Sequence, residues 1–265
     1  MKKICFALLL VLCSINMYGQ IPPAPGIKGE TYSFGIMADR YGDEHKGVYS
    51  ILLHRLLEKQ PEFIMCTGDI VAGYTNNPKK VRKQWEDFEY LMRDSKVPFY
   101  PAPGNHDVST GTVLGEWINR YEELYYSFEV NDDMFWVLGT DLPEKRGRVS
   151  ARQAEYFANV LKNKNPHRLF IFMHTPVWRN PKETGFDRIF NILEGRKYYI
   201  FSGHEHVFSH TFIDGNDCFV LGTSGGDADP SMPGEIFHYM YITVSKDSVD
   251  IQSRGMNDQK YEVFQ

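Results

Sequence analysis

Phe99-Tyr100-Pro101-Ala102-Pro103-Gly104-Asn105-His106-Asp107 is the stretch on which the reading of this chain turns. A short apolar run ends at a Pro/Gly turn and then presents an amide, an imidazole and a carboxylate in succession. The arrangement recurs. Phe34-Gly35-Ile36-Met37-Ala38 leads to Asp39, and Phe63-Ile64-Met65-Cys66 leads to Gly68-Asp69. Leu169-Phe170-Ile171-Phe172-Met173 leads to His174, and Tyr199-Ile200-Phe201 to Gly203-His204-Glu205-His206. Apolar runs of this length, alternating with amphipathic stretches, read as buried strands of an α/β sheet. Ligands in such sheets gather at the carboxyl ends of the strands. Asp39, Asp69, Asn105, His174, His204 and His206 are therefore expected on one rim. Their mix of oxygen and nitrogen donors suits Zn, Mn or Fe better than Ca or a thiolate zinc site.

Taken in order, these blocks resemble those of the calcineurin-like metallophosphoesterase superfamily, in its purple acid phosphatase and cyclic phosphodiesterase-like branch. The family's blocks read Asp-x-His, Gly-Asp, Gly-Asn-His-Asp/Glu, a lone His, and Gly-His-x-His. The second, third and fifth match to the letter, and His174 in Met173-His174-Thr175-Pro176 stands for the fourth. Tyr125-Tyr126-Ser127-Phe128 and the run from Phe135 to near Asp141 look like the family's middle strands. The resemblance implies a four-layer α/β/β/α sandwich of two packed mixed sheets. It also implies two divalent or trivalent transition-metal ions (Mn, Fe or Zn) bridged by Asp69. Asp39 and His206 would complete one metal, and Asn105, His174 and His204 the other. His106 would contact the phosphate or protonate the leaving group, with Asp107 orienting it. Two such metals answer the two difficulties of phosphoester hydrolysis, because they lower the pKa of a water and neutralise the charge on the leaving oxygen.

The first block departs from the family. It reads Asp39-Arg40-Tyr41, with Tyr where His is usual. In an extended segment Tyr41 would share a side with Asp39. Three readings are open: a site of Asp39, Asp69 and His206 completed by water, His45 folding back through Gly42, or Tyr41 as a phenolate. The last is the weakest for divalent ions, because a phenol of pKa near 10 coordinates them poorly.

Residues 1–19 have Lys2 and Lys3, an apolar run from Ile4 to Leu12, and Gly19 before Gln20. This is the pattern of a secretory signal peptide, and the run is short for a transmembrane span. Export to a periplasmic or extracellular location is expected, with cleavage after Gly19. Lipoprotein anchoring at Cys13 is the lesser alternative, because Leu12 is bulky for the position before it. A Pro-rich lead-in occupies 20–30, and 31–265 reads as a single domain. The formal charge of the 265-residue chain is -5, and losing Lys2 and Lys3 without any acid would leave -7. An acidic surface disfavours broad binding to nucleic acid, while bound cations still admit a small phosphorylated substrate. Cys66 and Cys218 read as buried free thiols.

Helices are expected over Val48–Glu58, from about Lys79 to Asp94, over Ala151–Leu161 and over Phe186–Leu193. A Gly/Ser/Thr-rich loop is expected from Asp107 to about Gly115, and strands dominate after Val207. His54 is placed on the apolar side of the first helix, Glu205 away from the site, and Tyr74, Trp178 and Phe186 are candidates to line a substrate pocket. The functional expectation is an exported phosphomonoesterase or phosphodiesterase. A nuclease or nucleotide-pyrophosphate hydrolase is one alternative, weakened because Lys79, Lys80, Arg82 and Lys83 fall on a solvated helix. A non-catalytic metal-binding module is another. The altered first block favours it, and the presence of His106 opposes it.

Overall fold

The structure, a computed structural model, describes residues 21–27 and 29–261. The expected leader at 1–19, with Cys13, lies outside the described residues. Among those residues no helix is long and apolar enough to cross a membrane.

Two six-stranded sheets form the centre. The first has the order β12 (Lys260–Tyr261), β11 (Val249–Gly255), β10 (His238–Val244), β1 (Tyr32–Met37), β2 (Phe63–Cys66), β3 (Phe99–Pro101). The second has the order β4 (Tyr126–Val130), β5 (Asp133–Val137), β6 (Arg168–Phe172), β7 (Tyr198–Ser202), β9 (Asn216–Val220), β8 (Ser209–Ile213). β1, β2 and β3 run parallel, as do β5, β6, β7 and β9, while β10 and β4 pair antiparallel with their neighbours. Both sheets are thus mixed.

The strands are apolar on both faces because both faces are covered. Phe34, Phe63, Phe135, Phe170, Phe172, Phe201 and Phe219 meet between the sheets. Phe34 stacks on Phe63 with ring centroids 5.1 Å apart and meets Phe135 edge-on at 5.3 Å. The alternate residues Ile64 and Cys66 face outward to Leu52, Leu56, Trp85, Phe88 and Trp117. On the other side Leu169, Ile171 and Ile200 face Phe157, Leu161, Ile189 and Leu193. These outward partners belong to α1 (Val48–Glu58), α2 (Pro78–Met92) and α3 (Gly111–Tyr121) over the first sheet. Over the second they belong to α4 (Ala151–Leu161) and α6 (Asp187–Leu193), with the single turn α5 (Pro181–Thr184) between them. The layers are α/β/β/α, as the resemblance implied. The lead-in adds to this packing: Ile21 and Ile27 rest on the core, and the Pro23 carbonyl accepts from the Tyr100 hydroxyl at 2.8 Å.

Two expectations are corrected. The loop expected up to Gly115 is helical from Gly111. Thr110 caps α3 by accepting from the Val113 N–H, and Val113, Trp117 and Tyr121 bury one stripe. The spacing of those three was the signal, and Gly111 and Gly115 masked it. His54 is exposed and pairs with Glu58 at 3.4 Å. The buried stripe of α1 runs instead through Tyr49, Leu52, Leu53 and Leu56.

His238 has the clearest pH consequence in the core. Its Nε2 accepts from the Gly222 N–H at 2.9 Å and its Nδ1 lies 2.6 Å from Ser253 Oγ, so the ring is neutral. Burial pushes its pKa down to about 3. An unfolded chain binds this proton near pH 6.5. The stability His238 contributes is therefore complete above about pH 6.5 and lost as pH falls from there toward 3, by up to about 1.4 kcal/mol per pH unit. Urea unfolding of metal-stripped protein between pH 7 and 4 should show this slope, and His238→Asn should flatten it. An unchanged slope would contradict the assignment.

Candidate metal centre

The carboxyl ends of β1, β2 and β3 face those of β6 and β7 across the sandwich, and every candidate ligand lies just beyond one of them. Asp39 follows β1, Asp69 follows β2, Asn105 follows β3, His174 follows β6, and His204 and His206 follow β7. The strands themselves are regular, so the turns after them do the aiming. Asp39 (φ 48), Asp69 (φ 55), His204 (φ 74) and His206 (φ 56) all occupy the left-handed region. That conformation costs a non-glycine residue about 1–2 kcal/mol and persists where the surroundings impose it. Here they do. The Asp39 carbonyl accepts from Thr223 Oγ1 at 2.6 Å and from the Gly226 N–H at 2.8 Å, and its carboxylate accepts from the His204 N–H at 3.0 Å. Asp69 Oδ1 accepts from the His106 N–H at 2.9 Å. Gly104 and Gly203 permit this approach, since a Cβ at either would overlap the carboxylate of Asp69 or Asp39.

The buried Asp39, Asp69 and His174 place ligand atoms within 4.8 Å of one another. His174 Nδ1 lies 2.9 Å from the Thr67 carbonyl, the bond that leaves Nε2 as the inward atom. That Nε2 meets Asn105 Oδ1 at 2.9 Å, Asp69 Oδ2 at 3.2 Å and His204 Nδ1 at 3.2 Å. Converging acceptors and lone pairs repel unless a cation or proton lies among them. Burial disfavours charge on His174, yet Asp69, then Asp39 and Asp141, more than offset it and hold the imidazole well above its ordinary pKa. Burial lowers the pKa of His204, and His174 lowers it further.

A second group adjoins the first. His206 Nε2 lies 3.4 Å from Asp39 Oδ1, and its Nδ1 is fixed by the Asp227 carbonyl at 2.8 Å. Asp39 Oδ2 is buried without a hydrogen-bond partner among the described residues. An orphaned carboxylate oxygen beside inward imidazole nitrogens fits a divalent cation, and both imidazoles are oriented through carbonyls as metal-ligating histidines are.

Three site expectations meet the structure differently. Asp107 does not orient His106. Its fully buried carboxylate accepts from the N–H groups of Asp69 (2.8 Å), Ile70 (2.8 Å), Val71 (3.1 Å) and Gly104 (2.9 Å). His106 is held instead by the Ala72 carbonyl, 2.7 Å from Nδ1, and its Nε2 faces Asp69 Oδ2 at 3.9 Å. Burial raises the Asp107 pKa, as does Asp69, and the backbone donors oppose both. The extended geometry assumed for 39–41 is broken by the left-handed Asp39. Tyr41 lies against the Arg40 guanidinium at 4.8 Å. Burial raises its pKa and Glu44 and Asp87 add to that, with Arg40 opposing, so a phenolate is disfavoured. His45 packs on Phe237 at 4.9 Å and approaches the Asp227 carboxylate at 3.7 Å.

Of the pocket aromatics, Trp178 and Phe186 are buried in the core and only Tyr74 borders the site. Glu205 pairs with Arg179, away from the ligands. The Thr223 and Ser224 hydroxyls, which brace Asp39 and the end of β1, carry no signal in the sequence. Asp141, which accepts from both the N–H and the hydroxyl of Thr175 beside His174, was likewise seen only as a strand end. A cleft of about 730 Å³ lies near Asn191, Arg196 and Asp214, beyond the opposite ends of the strands and remote from this rim.

Residues 41–208 match the model of the calcineurin-like phosphoesterase family. The chain belongs to that family. By class it is a phosphoester hydrolase with a candidate metal site. A probable glycerophosphodiester phosphodiesterase of Arcobacter nitrofigilis is 28% identical over 157 residues, which are 54% of this chain and 53% of that protein. The chain thus spans about half the length of this curated relative. A dimetal phosphatase from Danio rerio superposes with a TM-score of 0.64 at 14% identity, over 88% of this chain and 98% of that one. A purple acid phosphatase from Lupinus luteus superposes with a TM-score of 0.69 at 15% identity, over 91% and 54%. At such identities these two structures establish the fold alone.

Proposed function

We propose that this protein is an exported two-metal phosphoesterase acting on small phosphate esters, with diesters preferred. The observation that carries the reading is the convergence of Asp69 with Asn105, His174 and His204 on one side and Asp39 and His206 on the other, beside His106. The diester preference draws on the likeness to the glycerophosphodiester phosphodiesterase. Export draws on the leader-like residues 1–19. Bound Mn, Fe or Zn would supply water activation and charge neutralisation at the phosphorus.

The chain's own residues supply the rest. His174 and His206 present Nε2 inward because Thr67 and Asp227 hold their other nitrogens. His106 keeps Nδ1–H on the Ala72 carbonyl, so in its protonated form Nε2–H is the proton it can release to a departing alkoxide. The Tyr41 ring lies against Arg40 and the His45 ring against Phe237 and Asp227, so we assign the weaker metal to Asp39, Asp69 and His206 with water.

The test pairs an alkyl diester with an activated aryl diester, each assayed with Mn added. His106→Asn should keep its metal content and slow the alkyl ester by about 10²–10⁴-fold, a loss in the range typical of general-acid catalysis. The aryl ester, whose leaving group needs no proton, should slow by less than about tenfold. Equal slowing of both would remove His106 as the acid, and inactivity of the unmodified protein toward every ester would remove the catalytic reading.

A further inference from the structure

The turn after Asp69 is clamped to the Asn105-His106 block at successive residues. The Ala72 carbonyl takes His106 Nδ1 at 2.7 Å. Gly73 lies so close to the His106 carbonyl that a Cβ there would overlap it. The Tyr74 N–H donates to Ser109 Oγ at 2.7 Å, and that hydroxyl donates to the His106 carbonyl at 3.1 Å. Tyr74 itself is left-handed at φ 45 and 53% exposed. A bulky aromatic side chain at positive φ is a genuine outlier, and such outliers gather at functional sites. Its ring stands edge-on to His106 at 4.8 Å. The Arg146 guanidinium, bonded to the Ser109 carbonyl at 2.9 Å, lies 5.8 Å from the same ring.

The direction of one hydrogen bond gives this residue a role. An asparagine amide has one oxygen acceptor and a nitrogen that only donates. Asn105 turns Oδ1 toward His174 Nε2 at 2.9 Å, the orientation that a cation ligand requires. The atom left facing Tyr74 is Nδ2, 3.0 Å from the phenol oxygen. The phenol oxygen must therefore accept, and its own proton points away from Asn105. Among the described residues the phenol makes no other hydrogen bond. A neutral O–H donor is thus held at the mouth of the site, beside His106 and without a protein acceptor.

We propose that Tyr74 is a catalytic residue whose O–H donates to a non-bridging oxygen of the substrate's phosphoryl group. The proposal rests on the phosphoesterase reading of the site. A donor fixed before substrate arrives needs no reorganisation as charge builds on the phosphoryl oxygens, which is the condition under which such bonds contribute most. Inorganic phosphate, the product of monoester hydrolysis, presents the same oxygens and should use the same donor.

Tyr74→Phe keeps the ring and removes only the hydroxyl. Mn(II) is titrated into metal-stripped protein by calorimetry, and inorganic phosphate is then titrated into the Mn-loaded form. Mn affinity should stay within about threefold, phosphate binding should weaken about tenfold, and kcat/KM on a small diester should fall about tenfold to a few hundredfold. A fall in phosphate affinity or in kcat/KM with Mn binding intact supports the donor. Unchanged phosphate binding and unchanged kcat/KM overturn it. Loss of Mn affinity in parallel with activity also overturns it, because Tyr74 would then only hold Asn105. A wild-type protein that takes up Mn but cleaves no ester would count against the functional reading instead, with the phosphate titration still reporting on Tyr74.

Discussion

Asp69→Asn should reduce turnover to background and release metal from both halves of the site. The substitution keeps the shape of the side chain and removes its charge. In the native chain Asp69 Oδ2 lies 3.2 Å from His174 Nε2 and 3.9 Å from His106 Nε2, while Oδ1 takes the His106 N–H. It is buried, and although burial disfavours its charge, His174 and His106 hold its pKa below the ordinary value. Asp39, 3.4 Å from His206 Nε2 and 3.9 Å from His174 Nδ1, would then face both groups alone, so an amide at Asp69 removes one of the two anions that would stand between two cations. At an effective dielectric of about 20, two unit charges 4 Å apart interact by roughly 4 kcal/mol, and two divalent ions by more. Metal analysis after gel filtration, with initial rates on an aryl phosphate, checks this. A variant that keeps both metals, or more than about a tenth of the rate, would show that Asp69 is not the shared ligand.

Asp107→Asn should damage stability and metal binding together. The native carboxylate accepts four backbone N–H groups, two per oxygen, in a fully buried position. An asparagine keeps one oxygen and sets an NH2 against the other two donors. Each buried donor left without a partner costs about 1–3 kcal/mol, so a loss of about 3–5 kcal/mol is expected. For a chain of this size that is a fall of roughly 10 °C in Tm. Because the donors belong to residues 69–71 and to Gly104, the relaxation moves the turn of Asp69 against that of Asn105, and Mn affinity falls with it. Had Asp107 served His106, as the sequence suggested, the variant would keep its Tm and slow only esters with poor leaving groups. Calorimetric melting with the paired ester assay separates the two outcomes.

The layered fold was legible because its strands are short apolar runs with both faces buried, and a run such as Phe63–Cys66 needs no long-range knowledge to be recognised. The order of the candidate ligands was legible because each strand end carries its candidate donor within a few residues. What escaped has specific causes. α3 was hidden by Gly111 and Gly115, whose low helix propensity was overridden by burial of Val113, Trp117 and Tyr121. The side from which Asp107 works was invisible, because its partners are main-chain N–H groups of residues 69–71, far from it in sequence. Thr223 reaches the Asp39 carbonyl across 184 positions, and no local pattern announces such a contact. Tyr41 was placed by assuming an extended 39–41 segment, and one left-handed residue at Asp39 undid the alternation. The four left-handed candidate ligands are where local preference yields to the surroundings of the site.

On the proposed function, six side chains build two adjacent cation sites of unequal strength. Calorimetric titration of Mn(II) into metal-stripped protein tests it most directly. The expected isotherm has two ions per chain, with the second bound at least about tenfold more weakly because its site offers Asp39, Asp69 and His206 without a fourth protein ligand. His206→Ala should abolish that weaker event and leave the tighter one, which rests on Asp69, Asn105, His174 and His204. A single ion per chain, or two ions of equal affinity that His206→Ala leaves unchanged, would contradict the account.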